Sequence, residues 1–182
     1  MAKIILGFAG EIASGKGTAA KYVKEKYGAK TYQFSGSLRD ILDRLYLEQK
    51  RENFAKLSEA LRKIFGEDIM SKVMKEDLGR AQEEIIALEG IRRLDDIKYI
   101  RELPEFKFVY VEASLETRYG RIVKRGENVD DAQKTFEEFK KDHELETETQ
   151  IRDLKNHADF VLDNNGAPEK LYEQIDSILA KL

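Results

Sequence analysis

An apolar run at residues 4 to 9 leads directly into a glycine-rich segment, Gly-Glu-Ile-Ala-Ser-Gly-Lys-Gly-Thr, at residues 10 to 18. A helix-forming stretch, residues 19 to 26, follows it. A buried strand, a glycine loop and a helix in this order are the context that a phosphate-binding loop requires. The start of the chain therefore predicts that the fold is built around a bound phosphate.

Several features of this loop suit it to an anion. Its glycines let successive backbone N–H groups turn inward, and the helix that follows directs its N-terminal dipole toward the same place. Lys16 adds a charge that can reach the β- and γ-phosphate oxygens of a nucleotide. Gly17 stands where a hydroxyl residue usually holds Mg²⁺, and Thr18 comes one place later. We therefore expect Mg²⁺ to be bound mainly by nucleotide phosphates and water.

The composition limits the class of protein. The 182 residues, of which 41% are hydrophobic, suffice for one domain with a packed core. The 32 basic and 35 acidic residues nearly balance, so no charge excess indicates nucleic-acid binding. The absence of cysteine excludes disulfides and thiolate chemistry. Because no apolar run approaches the roughly 18 residues of a membrane span, we expect a cytoplasmic protein with no membrane partner.

Apolar runs alternate with helical patterns along the chain. Five runs predict strands, at residues 4 to 9, 30 to 34, 85 to 89, 106 to 113 and 160 to 162. This alternation predicts an α/β fold of three layers with a parallel sheet, whose ligands lie at the carboxyl edge of the strands. Three helical patterns between the second and third strands exceed what one crossover needs. They predict a helical insert that can hold an acceptor, with Ser37 as the N-cap of its first helix. Residues 95 to 103 are also predicted to form one helix, which Pro104 closes.

We therefore expect a single domain, residues 1 to 182, in three parts. Its core comprises residues 1 to 36, 80 to 117 and 155 to 182. The acceptor-binding helical insert comprises about residues 37 to 79, and a helical lid comprises about residues 118 to 150.

Glu89 ends an apolar strand and is followed by Gly90 and two arginines, Arg92 and Arg93. A carboxylate at a buried strand end can orient the water shell of Mg²⁺, and adjacent arginines can clamp a phosphate. The alternative is that Glu89 caps the next helix and forms a structural ion pair with one of these arginines. The phosphate loop favours the functional interpretation.

Arg118, Arg121 and Arg125 are spaced i, i+3 and i+7, which places them on one helix face. Guanidinium groups that close over a transferring phosphate stabilise the charge that develops there. The alternative is pairing with acids such as Glu116 or those of residues 127 to 148. We favour the functional interpretation for Arg121 and Arg125, and for Arg118 both interpretations stay open.

Other candidates carry weaker signals. Arg39 could hold an acceptor phosphate, and Asp40 beside it could accept a proton or simply supply charge at a helix N-terminus, which is the favoured interpretation. The Asn-Asn-Gly turn at residues 164 to 166 could bring backbone groups to a purine ring. His143 and His157 lack metal-ligand partners at useful spacing, and we expect both at the surface.

Residues 10 to 18 resemble the phosphate loop of the small-molecule P-loop kinases, which include the nucleoside monophosphate kinases and dephospho-CoA kinase. Residues 7 to 16 and 158 to 166 are similar to dephospho-CoA kinase. The Lys-Gly-Thr at residues 16 to 18 and the Glu-Gly-Ile-Arg-Arg at residues 89 to 93 are similar to adenylate kinase. Residues 34 to 39, Phe-Ser-Gly-Ser-Leu-Arg, are similar to the acceptor segment of deoxynucleoside monophosphate kinases.

This resemblance implies ATP and Mg²⁺ as cofactors and assigns roles to the matching residues. ATP would be bound by Gly10, Ala13, Ser14, Gly15, Lys16, Gly17, Thr18, Asn165 and Gly166. The catalytic residues would be Lys16, Arg93, Arg121 and Arg125. The substrate would be held by Arg39, Asp40, Glu89, Arg92 and Arg93. Mg²⁺ would be organised by Glu89 through water and more weakly by Thr18.

The resemblance implies transfer of the γ-phosphate of ATP to a small-molecule acceptor, with a (deoxy)nucleoside monophosphate favoured. The first alternative is the ribose 3′-hydroxyl of dephospho-CoA, with Asp40 as the base. Against it, the paired aspartates that dephospho-CoA kinases carry after the second strand are missing. Arg92 likewise replaces the proline of the adenylate kinase run, which leaves the acceptor open. A second alternative, from another class, is a nucleotide-dependent regulatory or assembly ATPase.

Overall fold

The structure, a computed structural model, describes residues 4–125, 135–143 and 146–182. Its strands are β1 (Ile4–Ala9), β2 (Lys30–Gln33), β3 (Ile85–Glu89), β4 (Phe106–Glu112) and β5 (Phe160–Asp163). They form one sheet in the order β2-β3-β1-β4-β5, and every pairing between neighbours is parallel. The prediction of an α/β fold with a five-stranded parallel sheet is confirmed.

Helices lie on both faces of this sheet. They are α1 (Lys16–Tyr27), α2 (Gly36–Arg44), α3 (Arg51–Phe65), α4 (Ile69–Arg80), α5 (Leu94–Ile97), α6 (Leu115–Arg125), α7 (Phe136–His143), α8 (Glu146–Asp153) and α9 (Pro168–Leu179). Short 3-10 turns follow α5 and α8. Among the described residues, no helix is long and apolar enough to cross a membrane.

Two hydrophobic clusters, one on each face, hold the three layers together. On one face, α1 and α9 cover the sheet with residues such as Val23 and Ile175. On the other face, α4, α5 and α8 contribute Leu78, Ile97 and Ile151. The central strands β1, β3 and β4 are therefore buried on both sides, which explains why they read as nearly continuous apolar runs.

The helices α2, α3 and α4 all lie between β2 and β3. No residue of α3 is fully buried, and its partly buried Phe54, Leu57 and Leu61 make the contacts with the core. Arg62 at the end of α3 forms an ion pair with the buried Asp96, with 3.1 Å between Nη2 and Oδ1. This pair joins the helices between β2 and β3 to the segment that follows β3.

Two local predictions are wrong. Instead of one helix over residues 95 to 103, the chain forms α5 and then a separate 3-10 turn at Ile100–Glu102. The backbone N–H of Tyr99 donates to Ser71 Oγ (3.0 Å), and this contact diverts it from the helical hydrogen-bond ladder. Ser37 does not cap α2, because the helix already begins at Gly36.

Candidate phosphate-transfer site

The loop between β1 and α1 has a backbone that most residues could not adopt. Gly10 (φ 149°), Ala13 (φ 59°) and Gly15 (φ 101°) all have positive φ. A Cβ on Gly10 would lie 2.3 Å from the Val111 carbonyl oxygen, and one on Gly15 would lie 1.9 Å from Asn164 Nδ2. Glycine is therefore required at both positions by sterics as well as by backbone conformation. Ala13 adopts the left-handed region despite its Cβ.

Lys16 is the first residue of α1, so the unpaired N–H groups of this helix open onto the loop. Its Nζ donates to the Glu11 carbonyl oxygen at 3.2 Å, and the side chain therefore folds back across the loop. A loop of inward-turned amides with a lysine above it is the arrangement that binds the phosphates of a nucleotide.

Arg121 and Asn164 hold the loop from the side of α6 and β5. Arg121 Nη1 donates to the carbonyl oxygens of Ala13 and Ser14, both at 3.3 Å. Its Nη2 donates to the Asn164 carbonyl at 2.7 Å, and Asn164 Nδ2 donates to the Ser14 carbonyl at 2.7 Å. Burial lowers the pKa of the Arg121 guanidinium from its ordinary value, but the group stays charged at neutral pH.

A cavity of about 620 Å³ opens beside the loop. Its size is within the range of small-molecule and cofactor sites. The residues that line it are Ala13, Gly15, Lys16, Gly17, Thr18, Lys21, Tyr22, Glu25, Arg121, Asn164, Pro168 and Tyr172. Six of the residues assigned to ATP or catalysis from the sequence thus lie around one cavity.

Glu89 lies at the end of β3, next to the loop. Its Oε1 is 3.9 Å from the point where a Cβ on Gly17 would lie, and its Oε2 accepts from Gln33 Nε2 at 3.3 Å. No group of three or more acidic or histidine side chains that could hold a metal alone occurs in the described residues. A single carboxylate beside the loop therefore fits a Mg²⁺ ion that takes its remaining ligands from phosphates and water.

The arginines assigned to the acceptor lie outside the cavity, on and near the α2–α4 helices. Arg39 Nη1 donates to Gln49 Oε1 at 2.9 Å, and its guanidinium lies 5.3 Å from the centre of the Phe54 ring. Arg93 Nη1 is 3.2 Å from Glu67 Oε2. Arg92 is exposed, as is Asp40 beside Arg39. None of these four side chains lines the cavity that contains Lys16.

Arg118 does not face the cavity. It is 1% exposed, and its Nη2 lies 3.4 Å from Glu11 Oε2. Its ion-pair partner is thus a carboxylate of the phosphate loop itself, whereas the sequence left pairing with acids such as Glu116 as one of two open interpretations. The side chains of Arg125 and His143 lie outside the described residues. His157 follows the prediction of an exposed position.

The turn after β5 places its two asparagines differently. Asn164 lines the cavity beside the loop, whereas Asn165 lines a second cavity of about 450 Å³. Asn165 Oδ1 accepts from the backbone N–H of Ser114 at 2.7 Å, and Gly166 lines neither cavity. The sequence pointed to the whole turn at residues 164 to 166, but the assignment of ATP-binding residues named Asn165 and Gly166 and left out Asn164. Strand alternation was the available signal, because Asn164 continues the buried face of Leu162.

Known proteins are similar to this chain over most of its length. A family model described as an AAA domain matches residues 9–140. The "UPF0200 protein" of Sulfurisphaera tokodaii is 29% identical over 179 residues, which cover 98% of this chain and 97% of that protein. The "UPF0200 protein" of Staphylothermus marinus is 28% identical over 182 residues, which cover 100% and 94%.

Solved structures share the fold. A shikimate kinase from Bacteroides thetaiotaomicron superposes with a TM-score of 0.60 at 12% identity, covering 98% of this chain and 99% of that one. A gluconokinase from Sinorhizobium meliloti 1021 superposes with a TM-score of 0.59 at 13% identity, covering 98% and 93%. At these identities the likeness concerns the fold alone, and the resemblance to small-molecule P-loop kinases is confirmed at that level.

The family match begins at the last residue of β1 and extends into α7, so it includes the phosphate loop, the α2–α4 helices and Glu89. The chain therefore belongs to the AAA domain family, and it has the fold of the P-loop small-molecule kinases.

Proposed function

We propose that this protein transfers the γ-phosphate of ATP, with Mg²⁺, to a (deoxy)nucleoside monophosphate. The fold supports a phosphotransferase of the kinase type. The observation that carries the proposal is the phosphate loop, whose Lys16 lies in one cavity with Arg121 while Glu89 lies beside Gly17.

The loop and Lys16 bind and orient the donor phosphates. When ATP binds, Lys16 exchanges its hydrogen bond to the Glu11 carbonyl for bonds to phosphate oxygens. Its positive charge then lies against the phosphoryl group being transferred. Glu89 would hold Mg²⁺ through water, and the ion would supply charge neutralisation at the phosphates. Arg121 keeps the loop carbonyls turned away from the anion by donating to two of them. Positioning and charge are what phosphoryl transfer chiefly requires.

The proposed acceptor follows from three exposed arginines on and near the α2–α4 helices. Arg39, Arg92 and Arg93 are exposed, and guanidinium groups recognise phosphate oxygens in bidentate fashion. A phosphate acceptor is already ionised, so it needs no base, whereas a hydroxyl acceptor does. β2 ends at Gln33, which has no carboxylate and instead donates to Glu89. An anionic acceptor is therefore favoured over a hydroxyl acceptor.

The first test is a coupled ADP-release assay with ATP and Mg²⁺ against a panel of acceptors. The panel contains the ribo- and deoxynucleoside monophosphates, dephospho-CoA, shikimate and gluconate. We expect one class of nucleoside monophosphate to raise turnover far above the rate without an acceptor. Turnover with dephospho-CoA alone would contradict the proposed acceptor and make Asp40 the candidate base. Slow hydrolysis that no acceptor stimulates would contradict the kinase itself and favour a regulatory ATPase.

A variant of Arg93 tests the acceptor side separately. Arg93→Met removes one guanidinium, so we expect the KM for the monophosphate to rise about 10-fold or more while the KM for ATP stays unchanged. Arg80→Met is the matched control, because Arg80 is exposed on α4 and pairs with Glu76. An Arg93 variant that behaves like the Arg80 variant would show that Arg93 serves only its ion pair with Glu67.

A further inference from the structure

Glu11 places a carboxylate inside the phosphate loop, directly after Gly10. The residue is 8% exposed, so its charge is largely removed from water. A negative charge in a loop that binds phosphates opposes the ligand, and a buried carboxylate is costly unless cations neutralise it. The contacts of Glu11 therefore need an explanation that phosphate binding alone does not give.

The first cation at Glu11 is Arg118 of α6. In addition to its ion pair with Glu11, Arg118 donates through Nε to the Ala113 carbonyl (3.2 Å) and through Nη1 to the Ile12 carbonyl (3.4 Å). Its guanidinium lies 5.6 Å from the centre of the Phe139 ring on α7. A buried charge on α6 is thus neutralised by the phosphate loop and covered by α7.

The second cation is Arg152 of α8, whose Nε lies 3.8 Å from Glu11 Oε1. The residue before it, Ile151, belongs to the hydrophobic core under the sheet. Glu11 therefore contacts the helix that precedes α7 and the helix that follows it. Its two carboxylate oxygens face different helices, so this one side chain connects both α6 and α8 to the phosphate loop.

We propose that Glu11 is a positioning residue for phosphoryl transfer, which fixes α6 and α8 beside the phosphate loop through Arg118 and Arg152. This inference rests on the proposed function. The fixed helices hold Arg121, which lies one turn along α6 from Arg118, in contact with the loop carbonyls. Glu11 thus contributes to the geometry of transfer and opposes ATP binding by its charge.

The opposed effects predict a separation of kcat from ATP affinity in Glu11→Gln. We expect kcat to fall about 10- to 100-fold because the helices lose their fixed place. The dissociation constant of ATP, measured by calorimetry, should stay within about threefold of the wild type or become smaller, since a repelling charge is removed. An unchanged kcat, or an ATP affinity that falls as much as kcat, would overturn the proposal.

Glu11 also lines the second cavity, the one of about 450 Å³, and a matched control lies in that cavity. Glu112 and Lys155 form an ion pair there with each other. Glu112→Gln removes one carboxylate charge from the lining of the same cavity, and we expect wild-type kcat and ATP affinity. An equal fall in kcat in this control would show that any carboxylate in the cavity suffices, which would also overturn the proposal.

A second variant tests the contact between Glu11 and Arg152 by changing the arginine, and it keeps the proposal testable if Glu11→Gln fails to fold. The Arg152 side chain is 40% exposed, so Arg152→Met is a mild change for the fold. We expect it to lower kcat, and the double variant with Glu11→Gln should be no slower than the slower single variant. Effects on kcat that multiply in the double variant would contradict action through Arg152.

Hydrogen exchange gives a readout that does not depend on turnover. In Glu11→Gln we expect faster exchange in residues 115–125 and 146–153 together, both with and without ATP, and no such change in Glu112→Gln. A wild type without acceptor-dependent turnover would contradict the proposed function, and the exchange pattern would still decide on Glu11. Wild-type exchange in both segments of the Glu11 variant would overturn the inference.

Discussion

Asp96 links the segment after β3 to α3, and its replacement by asparagine tests how that segment is held. Asp96 Oδ2 accepts the backbone N–H groups of Arg92 (2.9 Å) and Arg93 (3.0 Å), while Oδ1 faces Arg62 Nη2 at 3.1 Å. An asparagine can keep the two backbone bonds through its amide oxygen. Its NH₂ group then faces the Arg62 guanidinium, donor against donor.

The size of the effect follows from the burial of the pair. The side chains of Arg62 and Asp96 are 13% and 4% exposed. Removing one partner of a buried ion pair costs about 3–5 kcal/mol. Arg62 keeps hydrogen bonds to the Glu67 carbonyl and to Ser58 Oγ, so we expect the lower end, about 3 kcal/mol. For a domain of this size that corresponds to a fall in Tm of about 6–12 °C.

Urea unfolding followed by circular dichroism measures this difference, and the m-value should be unchanged. Asp95→Asn is the matched control, because Asp95 is the adjacent carboxylate and is exposed. Its free energy of unfolding should stay within about 0.5 kcal/mol of the wild type. If the two variants lost equal stability, the argument from the buried ion pair would be refuted.

Three further predictions concern the loop and the surface charges. Ala13→Gly relieves a left-handed backbone at φ 59° and should raise the free energy of unfolding by up to about 1 kcal/mol; a loss of stability in urea would refute the strain. Gly17→Ser should fold normally, because a Cβ there only approaches Glu89 Oε1 at 3.9 Å. The added hydroxyl can bind Mg²⁺, so the Mg²⁺ concentration for half-maximal activity should fall; an inactive variant would contradict this. Hydrogen bonds from Lys98 and Lys72 lower the pKa of Asp68. The contribution of the ionised Asp68 to the free energy of unfolding is therefore complete above the unfolded pKa of about 4, and it is lost as pH falls through the lower folded pKa. The Tm difference between wild type and Asp68→Asn should shrink below about pH 4, and a difference independent of pH would contradict this.

The elements that could be read from the sequence are those in which one local rule dominates. β1 and β3 have the predicted bounds because a strand buried on both faces must be apolar throughout. The phosphate loop was recognisable because its glycines and Lys16 lie within a few residues of one another, between an apolar run and a helix-forming stretch. The helix expected over residues 95 to 103 failed because Ser71, which is distant in sequence, takes the Tyr99 N–H group.

The candidate site was only partly predictable for the same reason. The spacing of Arg118 and Arg121 correctly indicated that both side chains belong to one face, and both contact the phosphate loop. Their different partners could not be derived, because the contact of Arg118 with Glu11 joins residues more than a hundred positions apart. The Arg62–Asp96 pair was missed likewise, since no local pattern relates residues 34 positions apart.

Transfer of radiolabelled γ-phosphate from ATP to a nucleoside monophosphate, compared between the wild type and Lys16→Met, tests the central claim most directly. Lys16 is the one cation of the loop itself, and its replacement by methionine keeps the length of the side chain while removing the charge. We predict label on the acceptor with the wild type and a loss of about 100-fold or more in the variant, with an unchanged circular dichroism spectrum. Equal transfer by both proteins, or label released only as inorganic phosphate by the wild type, would contradict the account.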